Sequence, residues 1–178
     1  KHVRDYIDAG SDIITVHAEV CDESSFGEIS DMLHSNQVGI GLAINPDTEL
    51  PEWCYKFVEL LDQIIIMSVV PGKSGQKFIE STHEKTKRIA KDLREHKFEG
   101  YIEADGGVNL ENIGACFEDG ARAFVGGSAI IGQTDVRMII KEFRNQVLES
   151  RRRLLIKKAH DLGGTELVNS WIDLHVVG

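Results

Sequence analysis

Short runs of apolar residues alternate with longer amphipathic stretches along most of the chain, and this alternation is the strongest constraint on its fold. Residues 64–67, Ile-Ile-Ile-Met, are apolar at every position, as in strands of a parallel sheet that is covered on both faces. The repeated pattern predicts strand-helix units. The predicted strands are 12–16, 38–44, 63–69, 100–104 and 121–125, and the predicted helices are 25–35, 51–61, 80–96, 110–118 and 136–153.

Proline and glycine mark the ends of these predicted helices. Pro51 suits a first helical turn, and Gly10, Gly100 and Gly120 stand where helices should stop. The strand-helix units repeat roughly every 25 residues, which favours a (β/α)8 TIM barrel over an open sheet. A complete barrel usually has about 250 residues, and this chain has 178. We therefore expect one (β/α)-barrel domain over residues 1–178 that is incomplete or circularly permuted, without the barrel's first strands.

The charge balance limits the classes of partner. The chain has 20 Lys and Arg against 29 Asp and Glu, a net charge of -9, which argues against binding to nucleic acid or to an anionic membrane. The three cysteines have no CxxC spacing, so they indicate neither a disulfide framework nor a zinc knuckle and fit a reducing cytoplasm. We expect a small-molecule ligand, and a homo-oligomer stays open.

Two glycine turns follow the last two predicted strands. Residues 105–107 are Asp-Gly-Gly and residues 126–128 are Gly-Gly-Ser. The carboxyl ends of barrel strands carry the binding groups, and backbone amides in glycine turns hold phosphate without side-chain charge. Either turn alone could be only a tight turn, but their position on adjacent strand ends favours a phosphate site. Its predicted contacts are Gly106, Gly107, Gly127 and Ser128.

Asp105 is the strongest single candidate for chemistry. It is a carboxylate that ends an apolar strand and precedes two glycines, which suits a base, an acid or a metal ligand. The alternative is an aspartate that caps the next helix. His17 ends the first predicted strand and should face the barrel mouth, where both a wall residue and a site residue are open interpretations.

Five segments in this order and spacing resemble the ribulose-phosphate 3-epimerase family. They are residues 13–19, 41–48, 67–78, 103–108 and 127–130, and the most specific is Met-Ser-Val-Val-Pro-Gly-Lys-Ser-Gly-Gln-Lys-Phe at 67–78. The resemblance implies a metal-dependent barrel of the pentose phosphate pathway. Such an enzyme inverts carbon 3 of D-ribulose 5-phosphate to give D-xylulose 5-phosphate.

The resemblance also implies residue roles. Asp105 matches the acid/base that is also a metal ligand, and the implied cofactor is a divalent ion such as Zn, Fe, Mn or Co. Lys73 and Ser74 stand where the family more often has Phe-Gly. The family's second acid/base aspartate and its first-strand serine have no counterpart here, so we expect low epimerase activity from the chain as given. The implied substrate loop is Gly72, Lys73, Ser74 and Gly75.

The tail at 151–178 resembles the family's third strand-helix unit. Residues 171–178 predict a strand with Asp173 and His175 on one face, similar to the family strand whose histidine binds the metal. His175 is therefore a predicted metal ligand and substrate contact, on a strand that we expect to lie parallel to 12–16. Two explanations of this pattern are open: the chain is circularly permuted, or the tail is an ordinary C-terminal extension that resembles the third unit by chance. Another phosphosugar epimerase or lyase, or a non-catalytic phosphosugar-binding fragment, is the alternative function.

Overall fold

The computed structural model describes residues 2–73 and 75–161. Strands and helices alternate along them. The strands are β1 (Ile13–His17), β2 (Gly39–Ile44), β3 (Leu61–Met67), β4 (Tyr101–Asp105) and β5 (Ala123–Val125). The helices are α1 (Val3–Asp8), α2 (Glu23–Ser35), α3 (Thr82–Glu95), α4 (Ile113–Asp119), α5 (Gly127–Ile131) and α6 (Val136–Asp161).

The five strands form one sheet in chain order, and every neighbouring pair is parallel. Parallel neighbours joined by helices are the repeating unit of a (β/α) barrel. The predicted barrel fold is thus confirmed, as part of a barrel within the residues that the structure describes. Among those residues β1 pairs with β2 alone, and β5 with β4 alone.

The two faces of the sheet have different roles. On the outer face Ile40, Leu42 and Ile64 are fully buried, in one cluster with Phe26 of α2 and Leu93 of α3. This burial of aliphatic side chains fixes the helices on the sheet. Strand partners share a face, so the pairs of β4 with its neighbours place Glu103 and Asp105 on the inner face, beside Ile65, Met67, Ala123 and Val125.

Two local predictions were wrong. Residues 51–61 contain a 3-10 helix at Glu52–Phe57, and β3 already begins at Leu61. A 3-10 helix rises more per residue than an α-helix, so it covers this short connection while Phe57 packs on Phe26 with ring centroids 5.2 Å apart. The second error concerns Gly100, which does not end α3. That helix stops at Glu95, Lys97 takes the left-handed φ of 60°, and Gly100 packs directly against the backbone carbonyl of Asp62.

Three predictions fall outside the described residues: the strand at 171–178, the metal ligand His175 and the loop residue Ser74. In the described part of the chain, no helix has the length and apolar character required to cross a membrane.

Candidate functional site

A cavity of about 300 Å³ lies at the carboxyl ends of β3, β4 and β5. Asp105 ends β4 and is paired in register with Met67 on one side and Val125 on the other. The structure therefore brings together the described members of the predicted site. The predicted residues that line this cavity are Gly72, Lys73, Gly75, Asp105, Gly106, Gly107, Gly127 and Ser128.

The turn at Gly106 and Gly107 is held from two sides. Both glycines have positive φ, 116° and 64°, a conformation that favours glycine. The buried Ser68 donates from its hydroxyl to the Gly106 carbonyl at 2.6 Å and from its backbone amide to the Asp105 carbonyl at 2.7 Å. A Cβ at Gly107 would come within 2.5 Å of the Phe78 amide nitrogen. The turn is thus fixed in position with its backbone close to the cavity.

The second turn leads directly into α5. Gly127 is the first residue of this five-residue helix, and a Cβ there would meet nothing within 4 Å. Amides in a first helical turn have no acceptor within their own helix. The amides of Gly127 and Ser128 are therefore available to a group in the cavity.

The loop after β3 covers one side of the cavity. The Gln76 side chain donates to the carbonyl oxygens of Val70 at 2.5 Å and Lys73 at 2.9 Å, so one amide group ties the start of the loop to its tip. Gly72 and Gly75 have positive φ of 110° and 74°. Lys73 is the basic side chain among the described residues that line the cavity.

The environment of Asp105 raises the pKa of its carboxyl group. Burial raises its pKa above the ordinary value, and the electrostatic influence of nearby His17 partly offsets this. Burial and the charge of Asp105 also raise the pKa of Glu103, while a 2.7 Å hydrogen bond from Gln63 lowers it. A carboxyl group with a raised pKa exchanges protons with a substrate more readily near neutral pH. The structure thus gives Asp105 an environment suited to acid/base chemistry.

His17 lies at the end of β1 and belongs to the same rim. Its Nδ1 is 3.2 Å from Glu19 Oε2, and it lies close enough to Asp105 to lower the pKa of that carboxyl group. Sequence reasoning left His17 undecided and missed Glu103, Ser68 and Gln76. The two-residue period of a strand would have revealed Glu103, since it stands two positions before Asp105.

A second cavity of about 670 Å³ lies behind the glycine turns and shares Gly107, Gly127 and Ser128 with the first. His83 lines it and contacts the buried carboxylate of Asp119 through Nδ1. Asp105 does not line this second cavity, so the smaller cavity is the one that combines the glycine turns with Asp105. Within residues 2–73 and 75–161, no group of three or more His, Cys, Asp or Glu side chains could hold a metal ion.

Residues 1–131 match the model of the ribulose-phosphate 3 epimerase family. The chain belongs to this family. It is 37% identical over 145 residues to the ribulose-phosphate 3-epimerase of Escherichia coli K12, covering 82% of this chain and 63% of that protein. It is 36% identical over 145 residues to the Bacillus subtilis enzyme, covering 81% and 65%. The chloroplastic ribulose-5-phosphate-3-epimerase of Arabidopsis thaliana is 37% identical over 141 residues, covering 79% and 50%. The chain thus spans less than two thirds of the length of each of these relatives.

Solved structures give the same fold. A 3-hexulose-6-phosphate synthase superposes with a TM-score of 0.59 at 19% identity, covering 82% of this chain and 66% of that one. The synthase of Salmonella typhimurium gives 0.60 at 17% identity, covering 84% and 67%. At these identities the likeness establishes the barrel fold of this epimerase family member and nothing about its chemistry.

Proposed function

We propose that this chain is the catalytic part of an isomerase that interconverts D-ribulose 5-phosphate and D-xylulose 5-phosphate by moving a proton at carbon 3. The observation that carries the proposal is that Asp105 and both glycine turns line one cavity in a member of the epimerase family. The cavity volume of about 300 Å³ suits a small phosphosugar, since ligand sites start near this size.

The two glycine turns would hold the phosphate. Backbone amides at Gly107, Gly127 and Ser128 can donate to phosphate oxygens, which explains how a chain with a net charge of -9 could still bind an anion. The phosphate would fix the sugar with carbon 3 beside Asp105. A bound substrate that is positioned in this way reacts faster than one that must find its orientation.

Asp105 would take the proton from carbon 3. The C3–H bond breaks, its electron pair forms a double bond between carbons 2 and 3, and the ketone oxygen gains the negative charge of an enediolate. A proton returned to the opposite face inverts the centre, and one returned to the same face restores the substrate. Asp105 serves one face, so inversion requires a second proton donor on the opposite face.

We propose that a divalent ion of Zn, Fe, Mn or Co would be held by Asp105 together with ligands outside the described residues, His175 among them. When bound, such an ion supplies charge that stabilises an enediolate. The described residues offer Asp105 without a cluster of three ligand side chains, so no step above is assigned to the ion.

Exchange of the carbon 3 proton in D2O tests the proposed chemistry. Proton NMR would follow loss of the H3 signal for each of the two ketopentose phosphates, with added Zn²⁺, which is diamagnetic and leaves the sugar signals sharp. Because one carboxylate reaches one face, we expect exchange with one epimer, slow interconversion, and loss of exchange in Asp105→Asn with phosphate binding retained. Asp31→Asn on the exposed surface of α2 is the matched control. Exchange that persists in Asp105→Asn would refute the role of Asp105.

Two further expectations remain proposals. Cys21, Cys54 and Cys116 are free thiols, which supports a reducing compartment such as the cytoplasm. A homo-oligomer also remains a prediction, and sedimentation or light scattering would measure the oligomeric state.

A further inference from the structure

A buried lysine on α3 holds the loop that follows β2. Lys85 is 7% exposed, and its ammonium group donates to three backbone carbonyl oxygens of this loop, those of Asn45 at 2.5 Å, Pro46 at 3.2 Å and Thr48 at 2.5 Å. An ammonium group has three donors, so the loop satisfies all of them. The loop is therefore fixed from the helix side by three charge-assisted hydrogen bonds.

The same loop is tied on its other side to the rim of the site. The backbone amide of Asn45 donates to Glu19 Oε1 at 2.7 Å. The other oxygen of that carboxylate, Oε2, lies 3.2 Å from His17 Nδ1. Burial alone would raise the pKa of Glu19, but hydrogen bonds from Thr48, the Asn45 amide and His17 lower it below its ordinary value. The backbone of Asn45 is thus held between Lys85 and the pair of Glu19 and His17.

The side-chain oxygen of Asn45 is the unsatisfied group in this arrangement. Its Oδ1 is buried and accepts no hydrogen bond from the residues that the structure describes. Leaving such an acceptor unpaired costs free energy, so a purely structural position would favour an apolar side chain. Asn45 follows Ile44, and by strand alternation it shares the face of Gly41 and Ala43, the inner face of the sheet.

The position of Asn45 fits the end of a ligand that is distant from its phosphate. Ile44 pairs with Ile66, so Asn45 follows level with Met67, which in turn pairs with Asp105. Asn45 is therefore two strands from Asp105, about 10 Å at the usual strand spacing, and the glycine turns lie beyond Asp105. A pentose phosphate with its phosphate at the turns would extend its sugar towards β2.

We propose that Asn45 Oδ1 accepts a hydrogen bond from a sugar hydroxyl of the bound phosphosugar, and that Lys85 is the positioning residue that holds it there. This inference rests on the proposed function. It assigns Asn45 a role in recognising the sugar, separate from recognition of the phosphate. Removal of the side-chain amide of Asn45 should therefore leave binding of inorganic phosphate intact and weaken binding of the sugar phosphate.

Isothermal titration with two ligands, inorganic phosphate and D-ribulose 5-phosphate, tests the assignment. For Asn45→Ala we expect the Kd for ribulose 5-phosphate to rise about fivefold, the value of one neutral hydrogen bond, with the Kd for phosphate changed by less than about twofold. Urea unfolding should show no loss of stability, because the substitution removes an unpartnered acceptor. Asn36→Ala, at the exposed end of α2, is the control.

A second variant tests the positioning role. Lys85→Met removes the three hydrogen bonds and should weaken binding of ribulose 5-phosphate as Asn45→Ala does, while Lys91→Met on the exposed face of α3 should not. If Lys85→Met does not fold, Lys85→Gln replaces it. Asn45→Ala that binds ribulose 5-phosphate as wild type, or that lowers stability as a structural residue would, overturns the assignment of Asn45. A wild-type chain that binds neither ligand overturns the proposed function as well.

Discussion

A substitution at Gly107 tests how tightly the glycine turn is built. Gly107 has a φ of +64°, a conformation that costs a residue with a Cβ roughly 1–2 kcal/mol. An alanine Cβ would also lie 2.5 Å from the amide nitrogen and 2.9 Å from the Cα of Phe78, and such overpacking adds about 1–3 kcal/mol. We therefore expect Gly107→Ala to lower the free energy of unfolding by about 2–5 kcal/mol, the sum of these two costs.

Two other glycines of the same cavity separate the two costs. Gly72 has a positive φ of 110° and nothing within 4 Å of a Cβ, so Gly72→Ala should cost only the conformational part, about 1–3 kcal/mol for this rarely populated backbone region. Gly127 has neither constraint and is exposed at the first position of α5, so Gly127→Ala should change the free energy of unfolding by less than about 0.5 kcal/mol. Urea unfolding followed by circular dichroism measures all three. If Gly107→Ala costs no more than Gly72→Ala, the contact with Phe78 does not constrain the turn.

Two further predictions concern the half-buried carboxyl group of Asp105 and the buried carboxyl group of Asp119. The pKa of Asp105 is raised above its ordinary value of 3.8, so its protonated form stabilises the fold at low pH, and this contribution is lost as pH rises through the raised pKa. Between about pH 4 and pH 7, the free energy of unfolding of Asp105→Asn should consequently fall less than that of wild type. Plots of unfolding free energy against pH that are parallel for the two proteins would contradict the raised pKa. His83→Leu leaves the buried Asp119 carboxylate without its hydrogen bond from His83 and should lower stability at neutral pH by about 1–3 kcal/mol. A loss below about 0.5 kcal/mol would show that Lys87, whose Nζ lies 3.7 Å from Asp119 Oδ1, satisfies the carboxylate by itself.

Much of the fold could be predicted because its signal is local. The run at 64–67 is apolar because β3 is covered on the outer face and largely buried on the inner face. Such apolar runs are typical of strands in a parallel sheet. The 3-10 helix at Glu52–Phe57 could not be predicted, because its conformation depends on packing of Phe57 against Phe26. That contact joins residues 31 positions apart in the chain.

The same distinction applies to the site. The glycine turns and Asp105 follow directly from strand ends, so sequence alone could bring them to one edge of the sheet. Glu103 was missed because it stands inside a strand, and Lys85 because a lysine in an amphipathic helix normally indicates a solvated face. The burial of Lys85 depends on carbonyl groups 37 to 40 residues away in the chain. A local sequence pattern cannot predict a contact over that separation. Ser74 and His175 remain predictions outside the described residues.

The site is tested most directly by locating the phosphate of a bound ligand. Crystals of this chain grown with D-ribulose 5-phosphate should show phosphate oxygens within hydrogen-bond distance of backbone amides at 106–107 and 127–128, with carbon 3 of the sugar beside Asp105. Phosphate found only on the His83 side of the turns, away from Asp105, or elsewhere on the surface would contradict the assignment of this cavity as the substrate site.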